Sequence, residues 1–263
     1  MNTTPKILIL SYYWPPSGGS GVQRWMYFAK YLKQLGYEPI VVTVAESQAS
    51  YPVLDPSLIQ EVEGIRVIKT ATREPLRWYS RLTSGDSKKG IPQGEIQTTS
   101  IFGKIAAYIR GNFFIPDARK GWVPFAVKAA QAVLKQEKIH CLITTGPPHS
   151  THFAGLQLAK QFQLNWWVDF RDPWLDVFYN KQLHRSQSSQ AKDAALEKTV
   201  LHYASGVITT TGGNLHQSLL QKAPDQTFVA LPNGYDAELM QQTPAAPKKE
   251  GFHIVYTGLL TQN

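Results

Sequence analysis

Two loops of this sequence concentrate the side chains that could do chemistry. The loop "TTGPPHSTH" carries His149 and His152, whose spacing of three residues places both on one face of a helix. The loop "WWVDFRDPW" carries Asp169, Arg171 and Asp172, a group whose carboxylates could bind sugar hydroxyls while its arginine binds a phosphate. Two alternatives stay open: the histidines could be surface or capping residues, and the acidic loop could satisfy itself as an ion-pair network.

A glycine-rich turn, "PPSGGSGV", separates an apolar run from a helical pattern. Its glycines would let backbone N–H groups approach an anion, and the N-terminus of the following helix would add a favourable dipole. The spacing does not fit a dinucleotide fingerprint, a Walker A loop or a nucleophile elbow, in which a glycine would replace Val22. The turn therefore predicts an anion site, and a turn that is merely tight remains the alternative.

Charge and composition restrict the partners. The net charge of +8 and the pI of about 9.4 favour an anionic partner, such as a phosphorylated ligand or an anionic lipid surface. Nucleic acid is not expected, because the basic residues are scattered and no reading motif is present. No cysteine or carboxylate stands at ligand spacing from the paired histidines, so neither a metal nor another cofactor is expected. The single cysteine, Cys141, indicates a reducing, cytoplasmic setting.

Apolar, strand-like runs alternate with helical patterns along the chain. The runs are short, unalternating and rich in Ile, Val and Leu, as expected of strands covered on both faces. The order predicts an α/β, Rossmann-like domain, with a parallel sheet, helices on both faces and a ligand site beyond the carboxyl ends of the strands. The predicted strands are Lys6–Ser11, Pro39–Val44, Ile65–Thr70, Cys141–Thr145, Trp166–Phe170, Gly206–Thr210 and Phe228–Leu231. The predicted helices are Val22–Leu35, Pro124–Gln136, His149–Gln161, Gln190–Ala204 and Asn214–Lys222.

Two segments break this alternation. Residues 72–100 are polar and rich in Gly, Ser and Lys, and predict a long, mobile excursion. Residues 101–122 combine an apolar stripe, formed by Ile101, Ile105 and Ile109, with basic and aromatic residues. Such a segment could lie on an anionic membrane, which would place the protein at the inner membrane face. A helix packed on the domain is an equal alternative.

The composition changes again near the end of the sequence. Residues 241–251 are rich in Pro, Ala and Lys and predict a linker after a domain that spans residues 1–240. The apolar run that follows, residues 252–263, is expected to be the first strand of a second domain that this sequence only begins.

Five motifs in order, "PPSGGSGVQR", "PPHSTHFAGLQLAK", "DFRDPW", "PNGYD" and "FHIVYTGLL", resemble the N-terminal half of a glycosyltransferase family 4 enzyme of the GT-B fold. The resemblance extends from Lys6 to Leu260. It implies a retaining enzyme that moves a sugar from a nucleotide-sugar donor to a saccharide or lipid-linked acceptor in cell-surface polysaccharide or glycolipid synthesis. The leaving diphosphate would help to deprotonate the acceptor, so no protein nucleophile is required.

The same resemblance implies roles for individual residues. The residues at the donor phosphates would be Gly18, Gly19, Gly21 and Arg24, although a structural salt bridge is an alternative for the arginine. The catalytic residues would be His149, His152 and Asp169. The residues on the acceptor side would be Arg171, Asp172, Trp174 and Asn233.

Of two other interpretations, the first stays open and the second is weakened. A noncatalytic module that binds a phosphorylated sugar or a nucleotide would share the glycine turn. A nicotinamide-dependent oxidoreductase is disfavoured by the glycine spacing and by the second strand, near whose end Glu46 is the only acidic candidate.

Because the remaining donor-binding residues are expected in the second domain, we expect this chain to be inactive by itself.

Overall fold

The computed structural model describes residues 4–74, 101–177, 180, 183–235, 237–242 and 251–256. Its centre is a seven-stranded sheet in the order β3-β2-β1-β4-β5-β6-β7, and all neighbouring strands are parallel. The strands are β1 (Lys6–Leu10), β2 (Glu38–Val44), β3 (Arg66–Thr70), β4 (Cys141–Gly146), β5 (Trp166–Phe170), β6 (Gly206–Thr209) and β7 (Phe228–Ala230). All seven predicted strands are confirmed, each to within one residue at either end.

Helices connect the strands. The α-helices are α1 (Ser20–Gln34), α2 (Ile101–Phe113), α3 (Val123–Gln136), α4 (Thr151–Phe162), α5 (Gln187–Tyr203), α6 (Asn214–Lys222) and α7 (Ala237–Gln242), and two 3-10 helices span Pro56–Val62 and Lys120–Trp122. The prediction started α5 three residues too late, at Gln190, because its serine-rich beginning looked like a loop. Ser186 caps that beginning, and its side chain accepts a hydrogen bond from the backbone N–H of Ser189.

The two faces of the sheet bury different helices. In β1, Ile7 and Ile9 pack against α1, whereas Leu8 and Leu10 belong to the larger core cluster that contains residues of α3, α4 and α5. Because both faces are covered, every β1 residue after Lys6 is buried, which explains the continuous apolar run in the sequence. The predicted Rossmann-like α/β architecture is therefore confirmed.

The order of the strands reverses at β1. This strand pairs with β2 on one side and with β4 on the other, so the loops that follow β1 and β4 run in opposite directions. In open parallel sheets of this kind, ligands bind in the crevice that opens at such a switch point, beyond the carboxyl ends of the strands. This edge therefore carries the candidate site.

The predicted excursion at 72–100 lies mostly outside the described residues. Residues 72–74 are described, however, and the side chain of Glu74 is buried. Its carboxylate accepts hydrogen bonds from Ser50 at 2.5 Å, from Arg119 at 2.9 Å and from the Tyr12 hydroxyl. The polar stretch thus begins with a core residue, which its composition had concealed.

The chain divides into two compact units, Met1–Asn233 and Gly234–Asn263. The second unit contains α7, and residues 252–256 form no strand there. Their side chains are exposed, for example 91% for Phe252 and 84% for Ile254. Residues 257–263 lie outside the described part, so the domain boundaries inferred from the sequence remain predictions.

Candidate functional site

The glycine turn follows β1 and leads into α1 at the switch point. It is tied to the segment before the first 3-10 helix, because Gly18 N donates to Val53 O at 2.9 Å and Asp55 N donates to Pro16 O at 2.8 Å. A Cβ atom at Gly18 would lie 3.1 Å from side-chain carbons of both Val53 and Asp55. The first glycine therefore serves close packing of the turn.

Gly19 is the residue of the turn that faces open space. Its φ of 95° lies in the region that favours glycine, and no atom of the described residues beyond its chain neighbours lies within 4 Å of the Cβ position. Gly19 is also the N-cap of α1, and no described side chain caps this end; the first turn of α1 contains no acidic residue. The helix thus begins without a side-chain cap and with an open approach at Gly19, which is the geometry of an anion site.

Asp169, at the end of β5, is completely buried and forms an ion pair with Arg24 of α1. Nη2 of Arg24 lies 2.8 Å from Oδ1 of Asp169. Oδ2 accepts hydrogen bonds from Nε1 of Trp25 at 2.6 Å and from Oγ1 of Thr145 at 2.8 Å. This carboxylate therefore ties α1 to the ends of β4 and β5, and it is satisfied by the protein itself.

The remaining donors of Arg24 also face the protein. Nη1 donates to Leu231 O at 2.7 Å and to Oδ1 of Asn233 at 2.8 Å, and only 1% of the side chain is exposed. The geometry favours the structural salt bridge over a contact between Arg24 and the donor phosphates. Asn233, assigned to the acceptor side, lies in the same network.

Arg171 joins the beginning of α1 to the loop after β4. Its guanidinium donates to Gly146 O at 3.2 Å, to Pro147 O at 2.5 Å and to Gly21 O. A Cβ atom at Gly21 would lie 2.5 Å from Nη1 of Arg171, so the third glycine of the turn makes room for this side chain. Burial lowers the pKa of Arg171 from its usual value. Asp172, the next residue, is exposed.

His149 and His152 lie side by side beneath the loop after β4. His152 is fully buried and its Nδ1 lies 2.9 Å from Oγ1 of Thr144, while Nε2 of His149 lies 3.2 Å from Pro173 O. The other nitrogen of each ring has no partner among the described residues, and both lie 2.7 Å from the Cβ position of Gly146. Burial lowers the pKa of His149 to about 3 and that of His152 well below its usual value. Both imidazoles are therefore neutral.

Aromatic rings enclose the two histidines. The Trp174 ring stacks on His149 at 5.2 Å and 9°, and the Phe170 ring lies 5.7 Å from it. The indole N–H of Trp174 donates to Oδ1 of Asp193 at 2.7 Å, and Arg185 lies 2.5 Å from the other oxygen. Trp174 was assigned to the acceptor side, and the structure places it in the core.

A second buried polar network was not identified from the sequence. Asp117 accepts hydrogen bonds from the backbone N–H and the hydroxyl of Ser150, both at 2.8 Å, and from Arg119 N at 2.9 Å. Burial raises the pKa of the Asp117 carboxyl despite these bonds. The network fixes the segment after α2 to the residue that follows His149. Ser150 lies in the motif "PPHSTH", but Asp117 belongs to no motif singled out in the sequence, so only the folded positions reveal the contact.

A cleft of about 450 Å³ lies beside the turn. Its polar wall includes Glu46 and Lys69, whose charged atoms are 3.5 Å apart. The lining residues are Trp14, Pro15, Pro16, Glu46, Ile59, Gln60, Val62, Glu63, Val67 and Lys69.

Within the described ranges, no three His, Cys, Asp or Glu side chains converge in a way that could hold a metal ion. The expectation of a metal-free site remains a prediction. The same part of the chain contains no helix long and apolar enough to cross a membrane.

Comparison with known proteins gave no matching family model and no matching curated protein. Among solved structures, HepE from Anabaena in complex with UDP and glucose has a TM-score of 0.48 and 14% identity over 89% of this chain and 46% of its own. Sucrose-phosphate synthase from Thermosynechococcus elongatus has a TM-score of 0.46 and 15% identity over 89% of this chain and 92% of its own. A UGT transferase from Siraitia grosvenorii in complex with UDP has a TM-score of 0.45 and 11% identity over 90% and 54%. The chain thus spans about half the length of HepE and of the UGT transferase.

Proposed function

We propose that this chain forms the acceptor-side domain of a retaining glycosyltransferase of family 4 with the GT-B fold. It would act in the cytoplasm in the synthesis of cell-surface polysaccharide or glycolipid, moving a sugar from a nucleotide-sugar donor to a saccharide or lipid-linked acceptor. The observation that carries the proposal is the uncapped beginning of α1, which opens at the switch point of the sheet through Gly19.

The donor diphosphate would be held mainly by backbone groups. Arg24 is buried against Asp169, and Arg171 donates to three backbone carbonyl groups, so neither supports a simple phosphate clamp. The uncapped beginning of α1 and the dipole of the helix remain, and they favour an anion without a side-chain charge.

The buried residues of the site would shape it. His149, His152 and Asp169 are at most 7% exposed, and the two imidazoles are neutral. In the proposed reaction, the acceptor oxygen forms a bond to the anomeric carbon as the bond from that carbon to the diphosphate breaks. The leaving diphosphate takes the acceptor proton, so the reaction requires neither a protein base nor a metal.

The cleft beside the turn is the acceptor site in this proposal. Pro15 and Pro16 belong both to its wall and to the residues just before the glycines. Its carboxylates, Glu46 and Glu63, suit sugar hydroxyls, and its apolar side chains suit the face of a sugar ring.

A noncatalytic module for a nucleotide or phosphorylated sugar is the second candidate. It is favoured by one specific observation, the burial of all three proposed catalytic residues.

The two candidates differ in what this chain binds. An acceptor-side domain leaves most nucleotide contacts to another domain, so the chain alone should bind UDP and pyrophosphate with similar affinity. A complete binding module should strongly prefer UDP. The transferase proposal also expects no sugar transfer by this chain alone.

The exposed Gln23, in the first turn of α1, offers a direct test of the anion site. Gln23→Glu should raise the Kd for UDP and for pyrophosphate about fivefold, because the new carboxylate repels the diphosphate by about 1 kcal/mol. Gln23→Lys should lower both values. Isothermal titration calorimetry at low ionic strength measures them.

Gln34→Glu is the matched control, since it makes the same charge change on an exposed residue at the other end of the same helix. It should leave both dissociation constants unchanged. Equal effects of the two glutamates, or no effect of either, would place the diphosphate away from the beginning of α1.

A further inference from the structure

Between residues 107 and 113, the part of α2 whose side chains the structure describes, the helix buries small residues and exposes large ones. Ala107 and Gly111 are buried, and a Cβ atom at Gly111 would lie 2.5 Å from Leu183 O. Ile109 and Phe113 lie roughly on the opposite face of the helix, at 43% and 65% exposure. A helix at the surface of a globular domain normally turns its large apolar side chains inward. The described part of α2 has the reverse arrangement, so its outer face is suited to an apolar environment.

The end of this apolar face is basic. Nζ of Lys120 donates to Phe113 O at 2.5 Å and lies 5.6 Å from the centre of the Phe114 ring. Lys192 stands on α5 next to Asp193, which pairs with Arg185, and Nε of Arg185 donates to Gly111 O of α2 at 3.1 Å. Burial and the charge of Lys192 lower the pKa of Lys120. Both lysines are exposed. Tyr108, at 49% exposure, is a third large exposed side chain of this helix.

The segment 101–122 contains a single acidic residue, Asp117. That carboxylate is turned inward, where it accepts hydrogen bonds from Ser150 and from Arg119 N, and its charge affects the pKa of Lys120 less than burial and Lys192 do. A surface that joins exposed Ile, Phe and Tyr side chains to exposed lysines complements a bilayer with anionic headgroups.

We propose that α2 and the turn after it, residues 107–120, dock on an anionic phospholipid membrane. Ile109 and Phe113 enter the boundary between headgroups and acyl chains, and Lys120 and Lys192 meet lipid phosphates. The same segment contacts Ser150, the residue after His149, so docking would bring the candidate site to the membrane surface. The proposal needs no nucleotide-sugar binding and can hold or fail independently of the proposed function.

Co-sedimentation of the full chain with vesicles tests this proposal. We expect binding to mixed phosphatidylglycerol and phosphatidylcholine vesicles at low salt, and little binding to pure phosphatidylcholine. The double variant Ile109→Ser, Phe113→Ser should lower the partition coefficient about tenfold or more, through lost apolar burial. Lys120→Ala with Lys192→Ala should lower it about twentyfold, with loss of most of the salt dependence.

Matched controls change similar residues elsewhere. Leu35→Ser with Tyr203→Ser removes an exposed aliphatic and an exposed aromatic side chain, and Lys128→Ala with Lys135→Ala removes two exposed lysines. Both pairs should partition within about twofold of the wild-type chain. Circular dichroism confirms that each variant is folded. Wild-type protein that stays in the supernatant, or controls as weak as the test variants, would overturn the proposal. Self-association that is abolished by the Ile109 and Phe113 changes, without vesicle binding, would also overturn it.

Discussion

Replacement of Asp169 with alanine should lower the free energy of unfolding by about 3–5 kcal/mol, among the largest effects of any single substitution in this chain. The side chain is 0% exposed, and its removal leaves the guanidinium of Arg24 buried without its counter-charge. The indole N–H of Trp25 and the hydroxyl of Thr145 also lose their acceptor. Urea denaturation monitored by tryptophan fluorescence measures the change.

Asp172→Ala is the control, because it removes the same group from an exposed position three residues along the chain. It should change the free energy of unfolding by less than about 0.5 kcal/mol. The double variant Arg24→Met, Asp169→Leu should be less destabilised than Asp169→Ala, since no unpaired charge then remains. Equal stability of Asp169→Ala and Asp172→Ala would show that the ion pair does not hold α1 to the sheet.

Acid should destabilise the protein through its two buried histidines. Burial lowers the pKa of His149 to about 3 and that of His152 well below its usual value, whereas both titrate near 6.5 in the unfolded chain. Below about pH 6.5 the two imidazoles therefore bind protons in the unfolded state but not in the folded state. The stability is fully present above that pH and is lost as the pH falls towards 3. Each histidine should contribute a slope of about 1.4 kcal/mol per pH unit.

His149→Phe should remove about half of this slope, because phenylalanine keeps the stack on Trp174 and cannot be protonated. Urea denaturation at neutral and at mildly acidic pH measures the slope. His202→Gln, at an exposed position of α5, is the control and should leave it unchanged. If His149→Phe and the wild-type chain lose stability in parallel as the pH falls, the imidazole of His149 is not buried in its neutral form.

Strand positions were predictable because parallel strands covered on both faces must be apolar throughout. The ends of one strand, Trp166–Phe170, are the same in the prediction and in the structure. The ends of one helix, Asn214–Lys222, also agree. The start of α5 was less clear, since serine favours both loops and N-caps. The sequence also placed the apolar stripe on α2, but which face of the helix would be buried depends on its neighbours at residues 183–186.

The candidate site was predictable in its location and not in its contacts. The alternation of elements predicts parallel strands, whose carboxyl ends share the edge of the sheet where a ligand binds. The order of the strands, and with it the switch point at β1, is known only from the structure. Arg24 and Asp169, however, are 145 residues apart in the chain, and nothing local shows that they pair. The same residue types would serve equally well at a phosphate and in a buried ion pair, so burial alone distinguishes them.

Glycine amide signals give the most direct test of the central claim, that the turn at the beginning of α1 binds a diphosphate. The chain contains 19 glycines, so selective ¹⁵N-glycine labelling yields a short set of resonances. UDP, the nucleoside diphosphate already used to test the proposed function, is the first probe to titrate. The account predicts saturable shifts at Gly19 and Gly21, with Gly155 and Gly206, which pack against tryptophan rings, unmoved. Saturable shifts at other glycine amides, with the signals of Gly19 and Gly21 unchanged, would contradict a diphosphate site at the beginning of α1.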